Sequence, residues 1–386
     1  MKEYYCEYYF TSEDTITDRI KSLLSKIKER KNILRLVFFG ETTNEKYEAE
    51  LTVILELVRV HFGANYPLVS YIAQPVLGAA EFSMEVHYMD ETLRTLESQF
   101  KTWEGVRYLV LRSELHKTVM IGGVRGGTLA ASVRDQSDEI FRKIGAVLKQ
   151  EGFEINHITR QWNYIGEITE FEGEVQNYQA FNDSRSLFYD QTNWEMTGYP
   201  AATGIGMSCA GVIVDLIATR LLSDSAEVKA IDNPLQIAAH SYSQEVLFGK
   251  EDERLNHRST PKFERAKTIC SDDGYTCFIS GTAAIRGEAS LENTNIRRQT
   301  LLTIENINYL ISHDNHRKQG IELQKEAGIA CVRVYVKNPE DYEHVRKEVS
   351  HHWKQIPALY VNADVCRDEL LVEIEGVASV LYRRRI

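Results

Sequence analysis

The sequence predicts an α+β fold made of more than one unit. Three observations carry this reading. Short β-like runs and amphipathic helical stretches mix along the chain without a regular βαβα alternation. The last third reads as strand, helix, strand, helix, strand, strand. The length, 386 residues, is enough for two domains at about 150 residues each.

The elements follow in order. ILRLVFFG at 33–40, YLVLRS at 108–113 and TVMIGG at 118–123 are apolar, β-branched or aromatic runs and read as strands. Ile140, Phe141, Ile144, Val147 and Leu148 recur at helical spacing, which predicts a helix over about 134–150 that Gly152 stops. CFISGTAAI at 277–285 reads as a strand entering a glycine-containing turn. Ile296, Leu301, Ile304, Ile307, Leu310 and Ile311 share one broad face of a helix over about 294–312. IACVRVYV at 329–336 is a strand, and a helix opens at Pro339, a favoured first position, and runs to about 354. ALYVNADVC at 358–366 and ELLVEIEGVA at 369–378 are two strands joined by a short polar turn. Period two in the last strand puts Leu371, Glu373 and Glu375 on one face, and Leu370, Val372 and Ile374 on the other. With seven prolines and no Pro/Ser/Gly-rich linker, any domain boundary is tight.

Composition narrows the function. Hydrophobic residues make up 43% and charged residues 26%, a balance that fills a core and excludes disorder over most of the length. The formal net charge of −11 disfavours nucleic acid, whose binding needs clustered Lys and Arg. The N-terminus, MKEYYCEYYFTSED, lacks a basic start and an apolar run, so no secretory signal is expected. The longest apolar stretch, 210–222, is broken by Asp215 and Arg220 and falls short of the roughly 20 residues that span a membrane, so no membrane partner is expected. Six cysteines with no CxxC pair fit reduced thiols and a cytoplasmic location.

GGVRGG at 122–127 and GIGMSCAG at 204–211 match neither G-x-G-x-x-G nor a Walker loop, so their glycines are read as turns and close packing. His351–His352, His313 and His316 lack the spacing of a metal site, and no G-x-S-x-G elbow exists. Chemistry without metal or cofactor remains. Three segments hold more reactive side chains than structure alone requires: RQWNYIGEI at 160–168 with Arg160, Trp162 and Tyr164; NYQAFNDSRSLFY at 177–189 with Tyr178 and Arg185; and the C-terminal strands with Cys366, Arg367 and Glu373. Burying a carboxyl in LLVEIEGVA would raise its pKa and make it a general acid, whereas on an edge strand it would face solvent or pair with an arginine.

These segments resemble the chorismatase family, chorismate-converting enzymes related to the reactive-intermediate deaminase (Rid) superfamily. The resemblance rests on RQWNYIGEI, YQAFNDSR, PAATGIG at 200–206, NPLQIAAHSY at 233–242, HRSTPKFERA at 257–266, FISGTAAIRGEAS at 278–290 and VNADVCRDELLVEIEG at 361–376, in family order. It covers roughly 108–380. It implies two Rid-like (chorismate-mutase-like) units, 1–170 degenerate and 171–386 catalytic, as a monomer or a Rid-like trimer. It further implies cofactor-independent cleavage of chorismate or a relative with release of pyruvate, Glu373 protonating the enolpyruvyl group. Tyr178, Arg185, Tyr242 and Arg258 would bind substrate. Cys366 would favour 3-hydroxybenzoate over the dihydroxycyclohexadiene carboxylate formed by hydrolysis, a choice on which the pocket-lining Ala283 and Ala284 would also bear. Leu235, His240 and Ser241 depart from the family's Arg, Tyr and Arg, and Arg254, Arg286 or Lys250 are the expected substitutes. The rival readings are an imine or enamine deaminase, against which Leu359 stands where that chemistry needs an arginine, and a binding or assembly protein without catalysis.

Overall fold

The computed structural model describes residues 4–28, 32–89, 97–129, 131–209, 211–271, 274–291 and 294–381. The first of the three larger sheets among these residues comes from β1 (Tyr4–Thr11), α1 (Ile16–Ser25), β2 (Ile33–Gly40), α2 (Asn44–Phe62), β3 (Leu68–Ile72) and β4 (Phe82–Met89), in strand order β1-β4-β2-β3. The second unit comprises β5 (Glu97–Trp103), β6 (Val106–Arg112), β7 (His116–Arg125), α3 (Val133–Gln150), β8 (Ile158–Gly166), the small hairpin β9 (Phe171–Glu172) and β10 (Val175–Gln176), α4 (Asn177–Tyr189), β11 (Ala201–Met207) and β12 (Val212–Leu221). The third comprises β13 (Ala226–Ile231), β14 (Ala266–Ser271), β15 (Gly274–Ala283), the small hairpin β16 (Ile285–Arg286) and β17 (Ala289–Ser290), α5 (Ile296–Leu310), α6 (His313–Lys318), β18 (Gly328–Val336), α7 (Tyr342–His352), β19 (Ala358–Asn362) and β20 (Val372–Leu381).

The three units repeat one topology. The second sheet runs β11-β8-β12-β7-β6-β5 and the third β13-β14-β15-β20-β18-β19, the same order read from opposite edges. The first lacks only the two outer strands. In each, one strand (β2, β8 or β18) pairs in parallel with the strand after it and antiparallel with the unit's last strand. The α+β class stands, with three units rather than two. The expected division at residue 170 falls inside the second sheet, whose parallel strands β8 and β11 lie on either side of it. The units share topology without shared sequence pattern and join through short links, so composition marks no boundary.

Most expected elements are present. Helix α3 starts at Ser132, whose hydroxyl accepts from the Asp135 N–H at 3.0 Å, and ends before Gly152, at φ +73°. The helix expected from Pro339 begins with a single 3₁₀ turn before α7. The last two strands are not neighbours, because β18 lies between β19 and β20. Gly123, at φ +65°, sits where a Cβ would meet the Val69 carbonyl oxygen at 2.5 Å, so this glycine-rich stretch serves close packing.

Where the units meet, each contributes an arginine and an acceptor to a closed ring. Arg35 of β2 pairs with Asp215 of β12 at 3.0 Å, Arg160 of β8 with Glu375 of β20 at 2.6 Å, and Arg333 of β18 with Glu85 of β4 through two bonds at 2.5 and 2.9 Å. Unit one thus grips unit two, two grips three, and three grips one. All six side chains are buried, and the three guanidinium groups surround the Trp162 indole at 4.3, 4.6 and 5.7 Å from its centroid. Buried pairs of this kind are weak sources of stability but costly to break singly, so they fix how the units register.

Candidate active site

A cavity opens between the second and third units. Unit two supplies Gln176, Tyr178, Gln179 and Asn182 at the start of α4, with Ala202 and Gly204 of β11. Unit three supplies Gly281 and Ala283 of β15, Cys366, Arg367 and Leu370 before β20, and Glu373 on it. The segment before β14 adds Tyr242, Phe263 and Arg265.

Glu373 is 5% exposed and lies opposite Ala283 on one side and Tyr335 on the other. Burial and the Glu375 carboxylate push its carboxyl up to about 8, against the pull of Arg160 and Arg265. Near neutral pH it is mainly protonated and able to donate. Glu375, two residues on, is held by Arg160, by the Trp162 Nε1–H at 3.0 Å, by Arg333 at 3.1 Å and by the Thr203 hydroxyl. One strand therefore carries an anion locked by cations and an acid kept neutral.

A bulge aims the acid. The β15–β20 register shifts between Ile279 and Thr282, and Gly281 donates its N–H to Thr203 Oγ1 at 3.0 Å. A Cβ on Gly281 would lie 2.9 Å from the Glu373 carboxyl carbon and closer still to Oε1, so only glycine leaves the acid its place. Gly204 opens the opposite wall, since a Cβ there would stand 2.9 Å from the Tyr178 ring.

Two arginines present cations to the cavity. Arg265 donates to Tyr242 Oη at 2.8 Å and to the Ile237 carbonyl at 2.5 Å, and its buried Nε has no partner among the described residues. Arg367 bonds the Glu288 carbonyl at 2.9 Å and Ser290 Oγ at 3.0 Å. Their guanidinium groups lie 5.7 and 5.3 Å from the Tyr242 ring centroid.

The structure brings together Glu373, Cys366, Tyr178, Tyr242 and Ala283 of the expected site residues. Burial pushes the Cys366 thiol up to about 12, so it lines the wall as a neutral S–H. Tyr178 is likewise raised, by burial and then by its neighbour Cys366. Three residues stand behind the wall. Arg185 donates to Asn182 Oδ1 at 2.7 Å, and Asn182, not Arg185, faces the cavity. Arg258 bonds the Leu247 carbonyl at 3.0 Å and braces the loop that caps the cavity. Ala284 lies in the bend after β15 and does not line the cavity. The expected substitutes do not enter: Arg254 pairs with Asp252 and Asp138, Arg286 with Glu305, and Lys250 with Glu174. Arg265, Asn182 and Gln179 went unread in the sequence. Alternation carried back from β14 puts Arg265 on the Lys267 face, the one signal that would have found it.

Among the described residues no group of His, Cys, Asp and Glu could hold a metal, and no helix is long and apolar enough to cross a membrane.

Residues 104–218 match the family model "Chorismatase FkbO/Hyg5-like, N-terminal", a span close to the second unit. Over that span the chain is similar to the N-terminal part of chorismatases. It is similar to a 3-hydroxybenzoate synthase of Streptomyces hygroscopicus, 32% identical over 234 residues, which are 59% of this chain and 65% of that relative. The match thus spans slightly less than two thirds of the relative's length. A chorismatase of the same organism is 26% identical over 263 residues, covering 67% of this chain and 72% of that one. A crystal structure of chorismatase superposes with a TM-score of 0.71 at 20% identity, over 97% of this chain and 98% of that one, and so shares the fold.

Proposed function

We propose that the chain cleaves chorismate and releases pyruvate without a cofactor, forming 3-hydroxybenzoate. One observation carries this reading: a buried neutral carboxyl, Glu373, shares a single cavity with two arginines, Arg265 and Arg367. Chorismate is a dianion with a ring carboxylate and an enolpyruvyl ether, so two cations and one proton donor are what its cleavage requires.

Arg265 and Arg367 take the two carboxylates. Glu373 gives its proton to the methylene carbon of the enol ether, and positive charge develops at the adjoining ether carbon. The substrate's own ring hydroxyl displaces the activated oxygen, whose bonding pair leaves with pyruvate as its carbonyl. The hydroxyl proton returns to Glu373, and the arene-oxide product isomerises to 3-hydroxybenzoate. Atoms balance with nothing added, since chorismate divides into pyruvate and 3-hydroxybenzoate. Hydrolysis would instead bring in one water. Cys366 and Ala283, both small, shape the wall beside the acid, and the name of the 32%-identical relative supports the first outcome. Glu375 acts through Glu373, holding its neighbour's proton by charge repulsion.

The chain carries three units of one topology, which supports a monomer, and its six free cysteines fit the reducing cytoplasm. Purified protein is expected to release pyruvate and 3-hydroxybenzoate in equal amounts from chorismate, and Glu373→Gln to release neither. Folded wild type that yields no pyruvate, or an active Gln variant, overturns the reading.

A further inference from the structure

The repeat places a second cleft between the first and second units. It is built from the counterparts of the active-site walls: α2 stands for α4, β3 for β11 and β7 for β15. Registering the units on their ring carboxylates, Asp215 for Glu375, puts Ile213 at the position of the acid Glu373. The residue opposite the acid changes as well, because Ile213 faces Arg125 where Glu373 faces Ala283. The cleft has lost a proton donor and gained a cation.

Its charge runs against that of the whole molecule. Arg59, Arg107, Arg125 and Lys143 line it with Glu104 as the single lining acid, in a chain of net charge −11. The carboxylates that hold two of these cations are themselves open to solvent: Glu48 takes Arg125 through two bonds at 2.5 and 3.1 Å, and Glu139 takes Lys143 at 2.8 Å, with the Arg125 carbonyl at 2.9 Å from the same amine. Arg107 spends one nitrogen on the Ala64 and Tyr66 carbonyls, stacks 3.7 Å from the Tyr66 centroid, and keeps a buried Nε with no partner among the described residues. Aromatic faces beside fixed cations suit a flat ring bearing a carboxylate.

We infer that this cleft is a second, non-catalytic binding site for a small ring carboxylate, the pseudo-symmetric mate of the active site with its acid replaced by Ile213. The inference stands apart from the proposed reaction, since neither Arg125 nor Lys143 touches the active cavity.

Titration calorimetry with 3-hydroxybenzoate as the probe tests it. Wild type is expected to show a binding event that the double variant Arg125→Gln/Lys143→Gln weakens at least tenfold, while melting and pyruvate release from chorismate stay as in wild type. A second event, sensitive to Gly204→Phe in the active cavity, is expected to survive the double variant. Isotherms identical in wild type and the double variant overturn the inference, as does a single event abolished by Gly204→Phe. If chorismate proves not to be cleaved but the Arg125/Lys143-dependent event is present, the second site stands and the reaction falls.

Discussion

Gly281→Ala tests the geometry around the acid with the addition of one methyl group. The new Cβ would lie 2.9 Å from the Glu373 carboxyl carbon and 3.1 Å from Thr203 Cγ2, so neither neighbour leaves room for the other to yield. Glu375 and Arg160 fix Thr203 from behind, so the Glu373 carboxyl is what moves, by more than an ångström. A reacting group misplaced by about 1 Å costs on the order of 100-fold in rate, or about 2.7 kcal/mol in the barrier. The overpacking itself destabilises by about 1–3 kcal/mol, too little to unfold a domain of ordinary stability. Coupled pyruvate detection is expected to show kcat reduced by roughly two orders of magnitude, with KM nearly unchanged because Arg265 and Arg367 are untouched. Melting curves confirm the fold. A folded Gly281→Ala protein with wild-type kcat would refute the reasoning, because the acid would then not be where the proton is delivered.

Two further outcomes follow from the charges. If Glu373 is the neutral acid of the proposed reaction, with its carboxyl raised from an ordinary 4.5 to about 8, kcat/KM should hold level through neutrality and fall tenfold per pH unit above about 8. The same shift makes wild type lose stability relative to Glu373→Gln as pH rises from below 4.5 to above 8, measurable by urea denaturation across that window. Asp215→Asn leaves the Arg35 charge under-compensated in the ring, and denaturation should show a loss of about 3–5 kcal/mol; a loss below 1 kcal/mol would mean the ring does not hold the units.

Much of the third unit was legible in the sequence because its helices and strands obey their periods, and period two alone put Glu373 and Glu375 on one face. The order of strands was not legible, since β18 enters between β19 and β20 through pairing that no local pattern encodes. Tyr178 and Arg185 lie seven residues apart in α4, and two turns extend about 10 Å along the axis. The helix reaches the cavity as far as Asn182, which accepts from Arg185 and stands in front of it. The first unit stayed hidden because its likeness to the others lies in topology. The ring was equally silent, as its partners are 180, 215 and 248 residues apart.

Strand β20 has two duties that cannot be separated. Its Glu375 completes the last grip of the ring, and its Glu373 becomes an acid only when the surrounding units have closed over it. In a loosened or half-assembled chain Glu373 is an ordinary glutamate, ionised at neutral pH and unable to donate. Competence is therefore granted last and withdrawn first. Partial unfolding should silence the proposed reaction before it leaves a damaged but active form, a built-in safeguard that costs no additional residue.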